Sequence, residues 1–323
     1  MTANTSGAAR VRVQWSQLPV ALHTAAAELL SSPVVVAESC SGGFSPGSAD
    51  RVILADGRRA FIKTANERRG PTHRYHLQEA NIVAALPPGL PIAYSLGVVS
   101  DDEWIAAIYD DVDGEPPATP WKNTDIHAVL DSLSVIAAKP MPAEVAELLP
   151  TAPSFWAKSS IDVDWDAITP GARAKLARTY PWLPEALSSN LADDALLLKD
   201  LAGDSLVHFD VRADNVLIRS NGTAVLVDWP WAVVGPDWFD PATLLFNVAY
   251  FDPSFDARPW LANHLSFSTT TPEQVARLWL AFAGFFLAAG TSPDPPGVPG
   301  LSRFRIDQGH ACLRLVGQVW STK

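Results

Sequence analysis

The chain has 323 residues, 48% of them hydrophobic and 18% charged, with 24 Lys and Arg against 35 Asp and Glu for a net charge of −11. At about 150 residues per domain this length makes two domains or one two-lobed domain, and the composition is too apolar for a disordered chain. The acidic balance argues against a nucleic-acid partner, whose phosphates need a basic footprint, and it suits either solubility or a cationic ligand. Two cysteines, Cys40 and Cys312, make neither a disulfide framework nor a four-cysteine zinc site. Residues Met1 to Val13 lack the apolar run of a secretory signal, and the longest apolar run, Leu278 to Ala289, is short of a membrane span. The expectation is a cytoplasmic protein with no membrane partner.

In chain order, Trp15 to Leu30 has apolar residues at Leu18, Leu22, Ala25, Ala26, Leu29 and Leu30, a helical pattern. Strand signals follow at Val34 to Val36, Arg51 to Leu54 and Ala60 to Lys63, the last two joined by the turn signal Asp56-Gly57. Tyr75 to Leu86 reads as a helix stopped by Pro87-Pro88-Gly89. Ile92 to Val99 and Trp104 to Tyr109 are further apolar stretches. After the proline-rich connector Gly114 to Pro120 the chain turns mostly helical. Helices are predicted from a Thr124 or Asp125 cap onward, over Ala172 to Arg178, Pro184 to Leu198, Pro272 to Ala289 and Phe304 to Trp320. One strand pair, Val216 to Ile218 and Ala224 to Val227, interrupts them. A strand-rich lobe followed by a larger helical lobe is the outline.

The most informative segment runs from His208 to Trp229. Asn221-Gly222 between apolar runs signals a hairpin. With those two residues as the loop, Ile218 opposes Val225, Val216 opposes Val227, and Asn215 opposes Asp228. A carboxamide and a carboxylate side by side, with Asp210 just upstream, would form a hard-oxygen site suited to Mg²⁺.

The run His208-x-Asp210-x4-Asn215 followed by Asp228 resembles the catalytic loop and metal-binding Asp of the protein-kinase-like fold. Asp228-Trp229 in place of Asp-Phe-Gly resembles the aminoglycoside phosphotransferase and choline kinase branch. Gly235-Pro236-Asp237-Trp238-Phe239-Asp240 is similar to that branch's Gly-Asp-Pro-x-x-Asp stretch, departing from it at Pro236-Asp237. The resemblance implies an α+β bilobal fold, with a small antiparallel-sheet lobe over residues 1–111 and a mainly helical lobe over 112–323. It implies Asp210 as general base, Asn215 and Asp228 as Mg²⁺ ligands, and His208 and Asp240 as supports of the loop. Arg212 either contacts the transferred phosphoryl group or forms a structural salt bridge.

The same resemblance assigns nucleotide-binding parts upstream. Ser41, Gly42 and Gly43 belong to a loop over the phosphates. Ala60-Phe61-Ile62-Lys63 is similar to the strand motif Val-Ala-Ile-Lys, with Glu79 as the partner of Lys63. Counting from the Asp56-Gly57 turn, Phe61 opposes Val52 and shares a face with Lys63. Asp110 and Val112 fall in the connector whose backbone binds the purine edge. The implied activity is phosphoryl transfer from ATP, or GTP, with Mg²⁺, to a hydroxyl of a small molecule such as an aminoglycoside or amino sugar, which can be cationic. Trp238, Phe239, Phe251, Asp252 and Asp256 are candidates to line the acceptor site or to belong to the core.

Other readings are less specific. Gly43-Phe44-Ser45-Pro46-Gly47 matches the Gly-x-Ser-x-Gly elbow of hydrolases, yet a strand signal follows where a helix is needed. His73, His76 and Glu79 have the spacing of one helix face, either a metal site or a polar surface. A protein kinase needs an activation loop, for which the eleven residues between Asp228 and Asp240 leave no room. A nucleotide-binding module without catalysis would have lost Lys63, Asp210, Asn215 or Asp228, and all four are present.

Overall fold

The β-branched and apolar stretches of the first third do form strands. The structure, a computed structural model, describes residues 13–40, 47–70, 72–158, 165–294 and 299–321. Two compact units divide the chain, one of Met1–Pro116, Pro142–Leu148 and Asp214–Trp231, the other of Pro117–Met141, Leu149–Ala213 and Ala232–Lys323.

The first unit is built on a five-stranded antiparallel sheet. Its strands are β1 (Val34–Ser39), β2 (Ala49–Leu54), β3 (Arg59–Asn66), β4 (Ser95–Ser100) and β5 (Trp104–Asp110), in the order β1-β2-β3-β5-β4. Helix α1 (Val20–Leu30) buries Leu22, Ala26 and Leu30, spaced by four, against Val52, Leu54, Ala60, Ile62, Ala106 and Ile108. Alternation along β3 sends Ala60 and Ile62 into this core and leaves Phe61 and Lys63 on the opposite face. Helix α2 (Thr72–Ala85) follows β3 and turns His76, Glu79, Ala80 and Val83 inward.

The two hairpins of this unit whose register was counted in the sequence each differ from that count by one residue. Between β2 and β3 the Leu54 N–H donates to Arg58 O (2.8 Å) and the Gly57 N–H to Leu54 O (2.9 Å), closing a three-residue loop, Ala55-Asp56-Gly57. Val52 therefore opposes Ala60, and Arg51 opposes Phe61. The second hairpin, Val216–Ile218 with Ala224–Leu226, repeats the pattern: Arg219 N–H to Thr223 O and Gly222 N–H to Arg219 O, both 2.9 Å. Gly57 (φ +86°) and Gly222 (φ +83°) each occupy the left-handed position that ends such a loop. Val216 opposes Leu226, and the Val227 N–H donates to Asn215 O at 3.0 Å, so Asn215 opposes Val227 rather than Asp228.

The second unit is mainly helical, with one short strand pair, Ser205–Val207 and Val233–Gly235. Pro272–Ala289 is the helix that the sequence predicts, opened by a Thr271/Gln274 capping box and buried nearly all round, against Leu301–Trp320. The predicted helix Pro184 to Leu198 is instead three pieces, Leu183–Leu187, Asn190–Ala192 and Asp194–Asp200. The Ser189 and Asp193 side chains accept the N–H groups of Leu191 and Leu196 and so restart the chain twice. Asn123–Ala138 begins after Lys122 with no side-chain cap, so Thr124 and Asp125 lie inside it. Among the described residues no helix is long and apolar enough to cross a membrane.

Candidate active site

In the first unit the residues that carry chemistry meet at Lys63. Its Nζ donates to Glu79 Oε1 and Oε2 (2.8 and 2.9 Å) and to Asp228 Oδ1 (2.6 Å). The Glu79 side chain is 3% exposed, Lys63 13% and Asp228 40%. Burial pulls the ammonium toward neutrality, and the Asp228 and Glu79 carboxylates outweigh it, so the Lys63 pKa is raised. Burial pushes the Glu79 carboxyl up, with Lys63 holding it down in part. The Trp229 N–H adds a hydrogen bond to Glu79 Oε1 at 3.3 Å. The Tyr109 ring faces the ammonium, 5.6 Å from its centroid.

Asp228 reaches Lys63 from a strained backbone. Asp228 (φ +70°) and Phe209 (φ +74°) are two of three non-glycine residues at positive φ among the described residues, the third being Ser31 at the end of α1. Such conformations persist where their surroundings over-determine them. Trp229, 1% exposed and donating Nε1–H to Leu226 O, anchors the turn after Asp228. Asn215 is buried just before the Val216–Ile218 strand.

In the second unit, Asp240 organises the segment around Asp210. Its buried carboxylate accepts the N–H groups of His208 (2.6 Å) and Phe209 (2.9 Å). Burial pushes its pKa up to about 6, against the pull of His208 and the two N–H donors. His208 is fully buried, and its Nδ1 accepts the Asp210 N–H at 3.3 Å. Arg212 Nε lies 3.5 Å from Asp210 Oδ1, an ion pair, and its guanidinium is 5.8 Å from the centre of the Phe304 ring. The Phe209 ring stacks on Phe239, centroids 4.7 Å apart, inside an aromatic core with Phe155 and Phe282.

Asn247, which sequence reasoning missed, closes the segment: its Oδ1 accepts from the Ala213 N–H (3.2 Å) and Trp121 Nε1–H (3.1 Å). The signal was a lone carboxamide inside the apolar run Leu244 to Ala249. Of the acceptor-site candidates, Trp238 and Phe239 are buried core residues. Asp252 accepts from Ser254, and Asp256 pairs with Arg258.

Ser41, Gly42 and Gly43, and most of the Gly-x-Ser-x-Gly match, lie outside the described residues. After them Gly47 packs so closely on β3 that a Cβ would collide with Thr64 O. Strand β2, and no helix, follows. Asp110 ends β5 with its N–H on Tyr94 O (2.9 Å), and Val112 is buried two residues on. His73 and His76 form no metal cluster with Glu79: among the described residues no group of three or more His, Cys, Asp or Glu could hold an ion. Asn215 and Asp228, the two residues put forward as metal ligands, lie in one unit and carry oxygen donors of the hard type that a divalent cation such as Mg²⁺ takes.

No curated protein matches the chain. Among solved structures it is similar to a spectinomycin phosphotransferase, APH(9)-Ia, in complex with ADP and spectinomycin (TM-score 0.58, 12% identity, 91% of this chain and 95% of that one). It is also similar to an aminoglycoside phosphotransferase from Alicyclobacillus acidocaldarius (0.57, 15%, 95% and 97%). A third is a thermostable mutant of APH(4)-Ia in ternary complex with AMP-PNP and hygromycin B (0.53, 17%, 92% and 99%). At these identities the likeness is one of fold: the α+β protein-kinase-like fold, with a small antiparallel-sheet unit and a larger helical one. The phosphotransferase enzyme family, APH, matches residues 43–278, and the chain belongs to that family of small-molecule phosphotransferases.

Proposed function

We propose that the protein moves the γ-phosphoryl group of ATP, with GTP as the alternative donor, to a hydroxyl of a small molecule. The observation that carries this reading is the Lys63–Glu79–Asp228 contact at 2.6–2.9 Å. It gathers the strand lysine, helix glutamate and metal-binding aspartate that kinase-like phosphoryl transfer requires. Lys63, held charged by the two carboxylates, binds the phosphates, and Glu79 fixes its position. Ser41, Gly42 and Gly43 cover the phosphates, and the backbone at Asp110 and Val112 takes the purine edge. Asn215 and Asp228 hold Mg²⁺, which when bound neutralises phosphate charge. Residues 1–111 form the nucleotide lobe and 112–323 the catalytic and acceptor lobe.

Asp210 orients the acceptor hydroxyl and receives its proton as the oxygen bonds to the γ-phosphorus. The bond from that phosphorus to the β–γ bridging oxygen breaks, and the nucleoside diphosphate leaves. The backbone around Asp210 is set beforehand by His208 and Asp240. Arg212, ion-paired to Asp210, supplies a cation for the negative charge of the moving group. An aminoglycoside or amino sugar is the acceptor class that best fits the family, and the hygromycin B and spectinomycin named with the similar structures support it.

Thermal shift tests the reading before any acceptor is known. MgATP or MgGTP is expected to raise the melting temperature by mass action. Asp228→Ala, which removes a metal ligand, is expected to abolish the magnesium-dependent part of that rise. No shift with either nucleotide at millimolar concentration overturns the proposal.

A further inference from the structure

Arg51 is a residue that neither the sequence motifs nor the mechanism uses. It leaves β2 on the Phe61 and Lys63 side of the sheet, opposite Phe61. Its guanidinium gathers the segment that follows β5. Nη2 donates to Val112 O at 3.2 Å and to Gly114 O at 3.0 Å. Nε lies 3.2 Å from Asp111 Oδ1, and Arg59 Nε takes Asp111 Oδ2 at 2.7 Å. The Asp111 side chain is 3% exposed, and each of its oxygens meets one of these two arginines. Beyond the clamp the chain is pinned again. Glu115 and Ile218 exchange two backbone hydrogen bonds (3.0 and 2.7 Å), and a Cβ on Gly114 would stand 3.1 Å from Ile218 O.

The clamp leaves an asymmetric edge. The Val112 N–H donates to no group among the described residues, while the Val112 carbonyl already accepts from Arg51. Adenine shows an acceptor at N1 beside its N6 amino donor. Guanine shows an acceptor at O6 beside two donors, N1–H and the N2 amino group. An edge with an open N–H and an engaged carbonyl satisfies adenine N1. With the clamped carbonyls taken, adenine has one donor, the N6 amino group, to place elsewhere, whereas guanine has two, N1–H and N2, and sets N1–H where the Val112 N–H needs an acceptor; a purine donor left unpaired on binding is strongly disfavoured.

We propose that Arg51 is a positioning residue that selects adenine over guanine nucleotides by occupying the Val112 and Gly114 carbonyls. The inference rests on the nucleotide reading given above. Arg51 touches neither phosphate nor acceptor in this reading and acts only through the backbone it holds.

Isothermal titration with MgAMP-PNP and MgGMP-PNP tests it without an acceptor. The wild-type protein is expected to bind the adenine analogue at least about tenfold more tightly. Arg51→Met frees both carbonyls and is expected to cut that ratio by about tenfold, whereas a general loosening of the fold weakens both analogues alike. Arg51→Lys keeps the charge beside Asp111 but cannot span both carbonyls, so it is expected to fall between the two, and it carries the test if Arg51→Met does not fold. Arg59→Met leaves Arg51 in place and is expected to keep the wild-type ratio. A wild-type preference for the guanine analogue, or an unchanged ratio in a folded Arg51 variant, overturns the inference and leaves the nucleotide reading standing. Binding of neither analogue to the wild-type protein overturns both.

Discussion

Lys63 Nζ lies 2.6 Å from Asp228 Oδ1 and 2.8 Å from Glu79 Oε1, so one ammonium is shared by two carboxylates of unequal burial. Asp228 is 40% exposed and keeps water as a partner; Glu79, at 3%, has little access to it. Loss of the ammonium therefore falls mainly on Glu79.

Lys63→Met is expected to destabilise the protein by about 3 kcal/mol at neutral pH, the usual scale for leaving one partner of a buried pair charged and alone. The pH dependence has a definite sign. Burial already raises the Glu79 pKa, and Lys63 is what lowers it. Without Lys63 the folded-state pKa rises further above its unfolded value, so the folded variant takes up a proton that the unfolded chain does not. The stability this group contributes is then regained on acidification, and the deficit of the variant shrinks from pH 7 toward pH 5. Urea denaturation of both proteins across that range measures it. A deficit constant with pH contradicts the assignment of the cost to Glu79.

Asp240 gives a second titration, in the second unit. Its folded pKa is pushed up from 3.8 to about 6, by burial above all. A carboxyl raised in this way stabilises the fold most below its unfolded pKa and loses that contribution as pH rises through about 6. A shift of about two units corresponds to roughly 3 kcal/mol at most. Asp240→Asn cannot titrate. The stability difference between wild type and variant is therefore expected to narrow by up to that amount between pH 4 and pH 7. Parallel stability curves would show that Asp240 does not titrate in this window.

The segment from His208 to Asp228 was legible in the sequence because its residues lie close together in the chain: His208, Asp210, Asn215 and Asp228 are readable as spacing. The strands were legible from runs such as Val34-Val35-Val36 and Ala60-Phe61-Ile62. The register of the hairpins was not. Asp56-Gly57 and Asn221-Gly222 signal a two-residue loop and a three-residue loop alike, and only the hydrogen bonds from Gly57 to Leu54 and from Gly222 to Arg219 separate the two. One residue of slip moved Val227 to the place counted for Asp228. Long-range partners were hidden for a different reason. Arg51 and Asp111 are sixty residues apart, and Asn247 is thirty-four residues beyond Ala213, so nothing local marks Arg51 or Asn247 as holding a backbone segment. The break in Pro184 to Leu198 was visible only as Ser189 and Asp193, residue types that cap helices as readily as they sit on a helix surface.

In the proposed reaction Asp210 is the base and Asp214 its rival, and their surroundings differ. The Asp210 N–H is held by His208 Nδ1, and Asp240 holds the His208 and Phe209 N–H groups, so the backbone that aims Asp210 is fixed on both sides of Phe209. Its carboxylate is partly exposed and ion-paired to Arg212. Asp214 is exposed, in the short helical turn before Val216. Asp210→Asn keeps the shape and one acceptor oxygen but cannot take the hydroxyl proton. Its kcat is expected to fall by about 100-fold or more with little change in nucleotide affinity, because the base acts in the transition state and not in nucleotide binding. Asp214→Asn is expected to retain most activity. The measurement is steady-state kinetics with the acceptor that an ATP-consumption screen of hydroxylated metabolites and antibiotics identifies, alongside titration of MgAMP-PNP into each variant. Near wild-type turnover by Asp210→Asn, or a dead Asp214→Asn that still binds nucleotide, would move the base to Asp214.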